Sequence, residues 1–209
     1  METIAICVGR ELGSGGSEIA KAIAKELGFR YCDSEVINAA SVNSGLDKKI
    51  FEKADEERSS FTSYLTGLIP FLGSSDFYGN SFDEETLFHF LSQTISDFAN
   101  MDSCVFVGRC AEYVLREKKE MLSVFVCADA QDRIQRIMER KHCSAEQAKK
   151  ILTQGDRKRA NFHDFYSNHQ WGRASTYDLC INTSRLGIDG TQRIILDYIY
   201  ARFPKLKKN

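Results

Sequence analysis

Residues 9–18 read Gly-Arg-Glu-Leu-Gly-Ser-Gly-Gly-Ser-Glu and form the most informative stretch of the chain. The apolar run 4–8 precedes this stretch, and the helical pattern of Ile19, Ile23 and Leu27 follows it. A strand that leads through a glycine-rich turn into a helix N-terminus directs several backbone N–H groups at one point. Because such a point binds the phosphates of a nucleotide, the stretch predicts a phosphate-binding loop.

The loop departs at two positions from the Walker pattern G-x-x-x-x-G-K-[ST]. Arg10 stands at the first glycine and Gly16 stands where the lysine belongs, whereas Gly15 and Ser17 match the pattern. The lysine of this pattern reaches the β- and γ-phosphates, so another cation has to replace it. Arg10, at the head of the loop, is the nearest candidate.

The composition is that of one ordinary domain. The chain has 209 residues, of which 43% are hydrophobic, and this is enough to bury a sizeable core. Its 28 basic and 29 acidic residues leave a net charge of −1, which argues against nucleic acid or an anionic membrane as a partner. No apolar run approaches the roughly 20 residues that span a bilayer, so we expect a cytoplasmic protein. The oligomeric state stays open.

The cysteines and histidines do not indicate a metal site. The seven cysteines are dispersed without a C-x-x-C pair, and most fall in or beside apolar runs. They are interpreted as small hydrophobic residues. His163, Asp164 and His169 could be drawn as a metal cluster, but their spacing matches no recognised ligand set. Solvated helix positions are the favoured interpretation of these three residues.

Short apolar runs alternate with longer amphipathic stretches along the chain, which is the pattern of a parallel sheet covered by helices. The predicted strands are 3–8, 29–33, 103–108, 121–127 and 177–182. The predicted helices are about 16–27, 34–43, 110–118, 130–141 and 188–202. We therefore predict an α/β fold with a five-stranded parallel sheet.

Two intervals interrupt this alternation. Residues 44–100 contain too much helical and polar sequence for one crossover and are predicted to form an inserted helical lobe. Residues 142–172 are charged and aromatic and are predicted to form a mobile lid. The rest of this single domain, residues 1–209, is then a core made of 1–43, 101–141 and 173–209.

The order of these segments resembles the cytidylate kinase-like family, a sister of bacterial cytidylate kinase, over nearly the whole chain. The similarity rests on four stretches: Arg10 to Gly16, Leu27-Gly28-Phe29-Arg30-Tyr31-Cys32-Asp33-Ser34, Val105-Phe106-Val107-Gly108-Arg109 and Cys180-Ile181-Asn182-Thr183-Ser184. The resemblance implies a P-loop NTPase three-layer sandwich in which 44–100 binds the nucleoside monophosphate and 142–172 is the lid. It also implies transfer of the γ-phosphoryl group of ATP to a nucleoside monophosphate, with CMP or dCMP as the best candidate and with Mg²⁺ as the metal.

This interpretation assigns residues to the site of the phosphoryl donor, ATP, and to the site of the phosphoryl acceptor. The backbone amides of the loop are expected to hold the ATP phosphates, and the Ser17 hydroxyl is expected to meet Mg²⁺. The loop residues concerned are Gly13, Ser14, Gly15, Gly16 and Ser17. Arg109 resembles the arginine of a G-R-D motif that holds the acceptor phosphate. Asp33 and Ser34 resemble the start of a D-S-G motif at the monophosphate, although the same pair could simply cap the following helix.

The G-R-D motif is incomplete, because Cys110 replaces its aspartate, which in the resembling kinases lies near the base. Glu112, three residues into the next predicted helix, could supply the missing carboxylate. An exposed helix position explains Glu112 equally well.

Several arginines are expected to neutralise the transferring group. Arg133, Arg136 and Arg140 share one helical face by their i, i+3, i+7 spacing. In the resembling kinases, arginines of this helix and of a later D-x-x-R segment reach the nucleotide when the lid closes, and Arg157 and Arg159 lie in such a segment. The expected catalytic cations are therefore Arg10, Arg133, Arg157 and Arg159. The aromatic residues among these charges are interpreted as the lid's own small core.

Two other functions remain open at this point. Without its lysine the loop could serve a nucleotide-binding module with little or no turnover. Alternatively, kinase chemistry could act on another small phosphorylated or hydroxylated metabolite. In every case the expected ligands are small molecules.

Overall fold

The computed structural model describes residues 2–45, 48 and 84–207, and its central feature is a sheet of five parallel strands. The strands are β1 (Ala5–Arg10), β2 (Arg30–Cys32), β3 (Cys104–Val107), β4 (Met121–Cys127) and β5 (Leu179–Asn182). They lie side by side in the order β2-β3-β1-β4-β5. The predicted five-stranded parallel sheet is confirmed.

Helices cover both faces of this sheet. They are α1 (Gly16–Leu27), α2 (Ser34–Ser44), α3 (Glu84–Met101), α4 (Ala111–Val114), α5 (Ala130–Lys141), α6 (Ala145–Ser167) and α7 (Thr183–Arg202). One apolar cluster packs α2, α3 and α4 against the sheet, and a second packs α1 and α7 against the opposite face. The α/β layered fold is therefore confirmed as well.

Two helices differ from their predicted bounds. α4 ends at Val114, because the charged segment that follows continues in turns instead of a helix. α7 begins at Thr183, where the Asn182 side chain accepts a hydrogen bond from the Ser184 amide and caps the helix. Gly187, with a φ of 67°, kinks this helix, and the sequence pattern detected only the part beyond the kink.

The loops that follow the strands meet at one edge of the sheet, since all five strands run in the same direction. The glycine loop follows β1, Asp33 follows β2 and Gly108 follows β3. Open parallel sheets bind their ligands at this carboxyl edge. The topology thus collects the expected site residues in one place.

Only part of the predicted insert, residues 44–100, is described. Its last segment is α3, which buries Leu87, Leu91 and Ile95 on one face, in the same apolar cluster as Val36 of α2. Residues 46–47 and 49–83 of the predicted insert lie outside the described residues.

The segment predicted as a lid, residues 142–172, consists mostly of α6. A capping box starts this helix: Ser144 Oγ accepts from the Gln147 amide, and Gln147 Oε1 accepts from the Ser144 amide. The helix is 23 residues long and lies against α5.

The cysteines are free thiols. Cys7, Cys32 and Cys104 are fully buried within strands, as expected for small hydrophobic residues, whereas Cys180 of β5 is exposed and does not follow that expectation. Within the described ranges, no helix combines the length and apolar character needed to cross a membrane.

Candidate active site

The glycine loop, residues 10–17, turns its carbonyl oxygens towards the body of the protein. Three side chains donate hydrogen bonds of 2.8–3.1 Å to three consecutive loop carbonyls: Arg133 Nε to Leu12, Arg136 Nη1 to Gly13 and Thr183 Oγ1 to Ser14. In a trans peptide the N–H points away from the C=O. The Gly13 and Gly15 amides, which follow the Leu12 and Ser14 carbonyls, therefore face the opposite side, where they suit an anion, whereas the Ser14 amide donates to the Glu11 carbonyl at 3.3 Å.

The loop adopts backbone angles that glycine tolerates best. Gly13 has a φ of 78°, and Gly15, which precedes the first turn of α1, has a φ of 87°. The buried Ser14 hydroxyl donates to the Glu11 carbonyl and accepts from the Gly16 amide, so it holds the loop from inside. Ser17 lies half-buried in the first turn of α1, beside these amides.

Arg10 ends β1, and its side chain passes closely between two glycines. A Cβ added to Gly16 would lie 2.6 Å from Arg10 Cβ, and a Cβ added to Gly108 would overlap Arg10 Nη1. Heavy atoms that are not bonded cannot approach this closely. Both positions therefore need glycine as long as Arg10 keeps this path, which links the arginine at position 10 to the missing lysine at position 16.

Arg109 stands in a strained turn at the end of β3. Gly108, Arg109 and Cys110 all have positive φ values, of 70°, 62° and 55°. Non-glycine residues adopt this region at a cost of order 1–3 kcal/mol, and such strain concentrates at functional sites. The turn places Arg109 in the wall of a pocket, together with Arg10 of the loop and Arg159 of α6.

Asp33 and Ser34 lie at the same edge of the sheet, at the start of α2. Asp33 occupies the N-cap position of α2, as the capping interpretation predicts, but its side chain makes no capping hydrogen bond. Its carboxylate accepts a hydrogen bond of 3.2 Å from the Tyr31 hydroxyl instead. Burial, aided by the nearby Asp33 charge, raises the pKa of Tyr31 to about 12.

The face of α5 that carries Arg133, Arg136 and Arg140 contacts the glycine loop on the side of its carbonyl oxygens. Arg136 donates to the Gly13 carbonyl, and Arg140 pairs with Glu18 of α1. Arg133 is buried and pairs with two carboxylates, Glu11 at 3.0 Å and Asp156. Its positive charge is therefore compensated within the protein, and it holds the loop and α6 together.

One face of α6 contacts both the loop and the pocket. Asp156, Arg159 and His163 share this face by their i, i+3, i+7 spacing. Asp156 Oδ1 accepts from the Leu12 amide at 2.8 Å, and Arg159 Nη1 donates to the Arg10 carbonyl at 3.5 Å. Arg157 lies outside this face and is exposed.

The pocket is a cavity of about 80 Å³ at the carboxyl edge of the sheet. Its walls combine cations, a carboxylate and aromatic rings: Arg10, Arg109, Arg159, Glu112, His163, Phe162 and Trp171. Guanidinium groups bind phosphate through paired N–H donors, so the cationic part of this wall suits an anionic ligand.

The structure corrects two sequence expectations in this pocket. Glu112 is 8% exposed and His163 is 4% exposed, so neither occupies a solvated helix position. They form a pair in which His163 Nε2 lies 2.8 Å from Glu112 Oε1. Helical periodicity could not reveal this pair, because its members are far apart in the sequence and each stands in a charged segment.

The aromatic residues near α6 form a shared cluster with α3 rather than a core of the lid alone. Tyr166 stacks on Phe88 of α3 with ring centroids 4.0 Å apart, and Phe162 contacts both rings. Trp171 packs instead against Phe125 of β4. Phe162 and Trp171 also line the pocket.

No group of three or more histidine, cysteine or carboxylate side chains in the described part of the chain is arranged to hold a metal ion. Mg²⁺ in phosphate-binding sites retains several waters and takes one or two protein ligands plus phosphate oxygens. The half-buried Ser17 hydroxyl, next to the loop amides, fits that ligand set.

The cytidylate kinase-like family model matches residues 5–185, and the chain belongs to this family. The match includes the glycine loop, the Gly108-Arg109 turn and α6. No curated protein sequence matches the chain significantly.

Solved structures with similar folds include a protein from Eubacterium ventriosum, 26% identical with a TM-score of 0.69, which covers 94% of this chain and 98% of that one. Shikimate kinase from Bacteroides thetaiotaomicron is 12% identical with a TM-score of 0.51, covering 94% and 98% of the two chains. Shikimate kinase from Acinetobacter baumannii, in complex with shikimate, is 15% identical with a TM-score of 0.50, covering 97% and 96%. Family and fold together support a small-molecule P-loop kinase.

Proposed function

We propose that this protein transfers the γ-phosphoryl group of ATP to a nucleoside monophosphate, with CMP or dCMP as the preferred acceptor. The observation that carries the proposal is the pocket in which Arg10, Arg109 and Arg159 converge beside the glycine loop. A phosphoryl transfer between two anions requires positioning and neutralisation of charge, and it requires no nucleophilic side chain from the protein.

The donor site is formed by the loop. The amides of Gly13, Ser14, Gly15, Gly16 and Ser17 would hold the β- and γ-phosphates at the N-terminus of α1. Ser17 would be the protein ligand of Mg²⁺, which supplies charge neutralisation on the phosphate oxygens when it is bound. Arg10 would take the role of the missing lysine, because its side chain leads from the loop into the pocket.

The acceptor site lies beyond the end of β3. Arg109 would hold the acceptor phosphate, and Asp33 and Ser34 would border it from the end of β2. Arg159, and Arg157 in a more closed state of α6, would neutralise the transferring group. For Arg133 we propose a positioning role rather than contact with the phosphates, because both of its carboxylate partners already lie within the protein.

A second candidate is phosphorylation of a hydroxyl group on another small anionic metabolite. The carboxylate of Glu112 in the pocket wall favours it, because a hydroxyl acceptor has to lose a proton, and a carboxylate accepts that proton in protein kinases. A nucleoside monophosphate acceptor is already anionic and needs no such base.

The decisive experiment measures ADP release with Mg-ATP and a panel of acceptors. The panel contains CMP, dCMP, UMP, AMP and GMP, together with small hydroxy acids and sugar phosphates. Acceptor-dependent ADP release with CMP or dCMP supports the proposal, and release only with a hydroxylated metabolite supports the second candidate. ATP binding without ADP release from any acceptor would mean a nucleotide-binding module.

We expect Arg109→Ala to weaken acceptor binding more than ATP binding. A lost charge-assisted hydrogen bond contributes roughly 1.5–3 kcal/mol, or about 10- to 150-fold in affinity. Calorimetric titration of CMP and of ATP would measure both constants. Arg116→Ala is the matched control, since Arg116 is exposed, pairs with Glu117 and stands outside this pocket. A loss confined to ATP would move Arg109 to the donor site.

A further inference from the structure

His163 has hydrogen-bond acceptors at both ring nitrogens. Nε2 lies 2.8 Å from Glu112 Oε1, an ion-pair contact without the geometry of a regular hydrogen bond. Nδ1 faces Ser167 Oγ and the His169 carbonyl at 3.2 Å and the Asp164 carboxylate at 3.3 Å. A neutral imidazole has one N–H only, whereas the imidazolium has two. The geometry therefore favours the protonated ring, which gives Glu112 a cationic partner.

The surrounding charges act in the same direction. Burial alone lowers the pKa of His163, but the close contact with the charged Glu112 carboxylate, followed by that with Asp164, outweighs burial and raises the pKa above its ordinary value. The other ionisable groups nearby are Tyr177, whose ring lies against the imidazole, and Cys110, whose thiol contacts the His163 carbonyl. Across the pocket stand Arg10, Arg109 and Arg159.

The Glu112–His163 pair joins two separate parts of the molecule inside the pocket. Glu112 belongs to α4, directly after the strained Arg109 turn, and His163 belongs to α6. Both side chains line the cavity that the arginines line. A buried ion pair contributes little net stability compared with apolar residues of similar volume, so its position in a pocket wall indicates a functional role.

The pocket wall therefore has a cationic part and an acidic part, which lie next to successive turns of α6. His163 follows Arg159 by four residues, which is one helical turn or about 6 Å along the axis. The arginines form the cationic part of the wall, and Glu112, fixed by His163, forms the acidic part. A carboxylate only accepts hydrogen bonds. A ligand that fills this pocket therefore needs an anionic group and an N–H or O–H donor.

We infer that Glu112 is the specificity-determining residue of the acceptor site and that His163 is its positioning residue. Glu112 accepts a hydrogen bond from a donor group of the acceptor, either the exocyclic amino group of its base or the 2′-hydroxyl of its sugar. This inference rests on the proposed function in so far as the acceptor is a nucleoside monophosphate. Because His163 lies on α6, the carboxylate is oriented only while α6 is docked against the core.

The test uses binding, so that it does not depend on turnover. CMP, UMP and dCMP are titrated calorimetrically into the full-length protein and into Glu112→Gln, with Glu117→Gln, an exposed glutamate of the neighbouring segment, as the matched control. We expect Glu112→Gln to bind CMP about 10- to 150-fold more weakly, the range for a hydrogen bond to a charged group. The control should bind CMP as the parent does.

The three ligands separate the two possible donors. If the amino group is the donor, the parent prefers CMP over UMP, and Glu112→Gln loses that preference. If the sugar hydroxyl is the donor, the parent prefers CMP over dCMP, and Glu112→Gln loses that preference instead. Unchanged affinity and unchanged preferences in a folded Glu112→Gln variant would overturn the inference. If this variant does not fold, the same comparison with His163→Gln decides.

His163→Gln also tests the positioning role through pH. The pKa of His163 is raised, so its charge is complete below the ordinary value and is lost as the pH rises through the raised one. The parent should therefore lose CMP affinity over that range relative to His163→Gln. The acceptor phosphate itself titrates near pH ~6, but equally for both proteins, so the affinity ratio isolates His163. A ratio independent of pH would contradict the positioning role.

Failure of the inference and failure of the proposed function give different results. If ADP release depends on the acceptor, and if neither this release nor the binding preferences change in Glu112→Gln, the role of Glu112 is refuted and the proposed kinase function stands. Selective CMP binding that depends on Glu112, in a protein that releases no ADP, refutes the kinase and leaves the role of Glu112.

Discussion

Gly16→Lys, which adds the lysine missing from the glycine loop, is expected to abolish phosphotransfer instead of enhancing it. A Cβ at position 16 would lie 2.6 Å from Arg10 Cβ and 3.2 Å from Val126 Cβ. Neither atom is the end of a flexible side chain, so the loop has to move. Overpacking of this kind costs about 1–3 kcal/mol in stability, and the displacement affects the amides that would hold the phosphates.

The two departures from the Walker pattern are therefore coupled through space. The 2.6 Å overlap is with Arg10 Cβ and is absent with glycine at position 10, so we expect the loop to accommodate a side chain at position 10 or at position 16 but not at both. Arg10→Gly alone removes the cation that we propose replaces the lysine, and we expect turnover to fall on the order of 100- to 1,000-fold. Arg10→Gly combined with Gly16→Lys restores G-x-x-x-x-G-K-[ST] and should recover much of that loss.

This coupling is tested by measuring ADP formation and the thermal midpoint of unfolding. Both are measured for the parent, for the two single variants and for the double variant. Gly16→Ala is the matched control, because it adds the clashing Cβ without a charge. If steric overlap is the cause, Gly16→Ala and Gly16→Lys lose activity together. An increase in turnover from Gly16→Lys alone would contradict the coupling and would identify the parent as a degenerate binder.

Much of the fold could be predicted because it depends on local patterns. The apolar runs identified the strands, and the Gly15-Gly16 turn marked the start of α1. No local pattern determines which strands are neighbours, so the order β2-β3-β1-β4-β5 could not be deduced from periodicity. The start of α7 was missed because its signal is the Asn182 cap and not an apolar stripe.

The candidate site was less predictable, because its critical contacts join distant segments. Periodicity placed Arg133 on the correct face of its helix, but it could not identify partners near residues 11 and 156. Glu112 and His163 each stand in a charged segment, and only the tertiary fold buries them together. The steric coupling between positions 10 and 16 arises because the folded loop brings Gly16 against Arg10 Cβ. Spacing along the chain contains none of this information.

Arg133→Ala is expected to cause the largest loss of stability of any variant considered. The Arg133 side chain is 6% exposed and neutralises Glu11 and Asp156, whose side chains are 24% and 19% exposed. Removal of one member of a buried ion pair costs about 3–5 kcal/mol, because the remaining charges stay desolvated. Since both carboxylates retain some contact with water, we expect a loss near the lower end of that range.

The loss should appear as a lower free energy of unfolding in denaturant titrations and as a lower thermal midpoint, by about 2–4 °C for each kcal/mol in a protein of this size. Arg140→Ala is the matched control, because Arg140 lies on the same helical face, pairs with Glu18 and is 59% exposed. Exposed ion pairs contribute at most about 1 kcal/mol. Equal losses of stability in Arg133→Ala and Arg140→Ala would contradict the stabilising role of the buried Arg133 ion pairs.

A triple variant separates two quantities: the net contribution of the Glu11–Arg133–Asp156 cluster to stability, and the destabilisation caused by removing only one of its members. Glu11 also accepts from the Ala128 amide and Asp156 accepts from the Leu12 amide, and neutral side-chain amides can still accept those hydrogen bonds. Arg133→Met with Glu11→Gln and Asp156→Asn therefore leaves no unpaired charge and should recover most of the stability. It should not recover full turnover, because the charges that hold α6 against the loop are then gone. Stability and activity would thus separate, as expected if the cluster positions the loop and α6 for phosphotransfer.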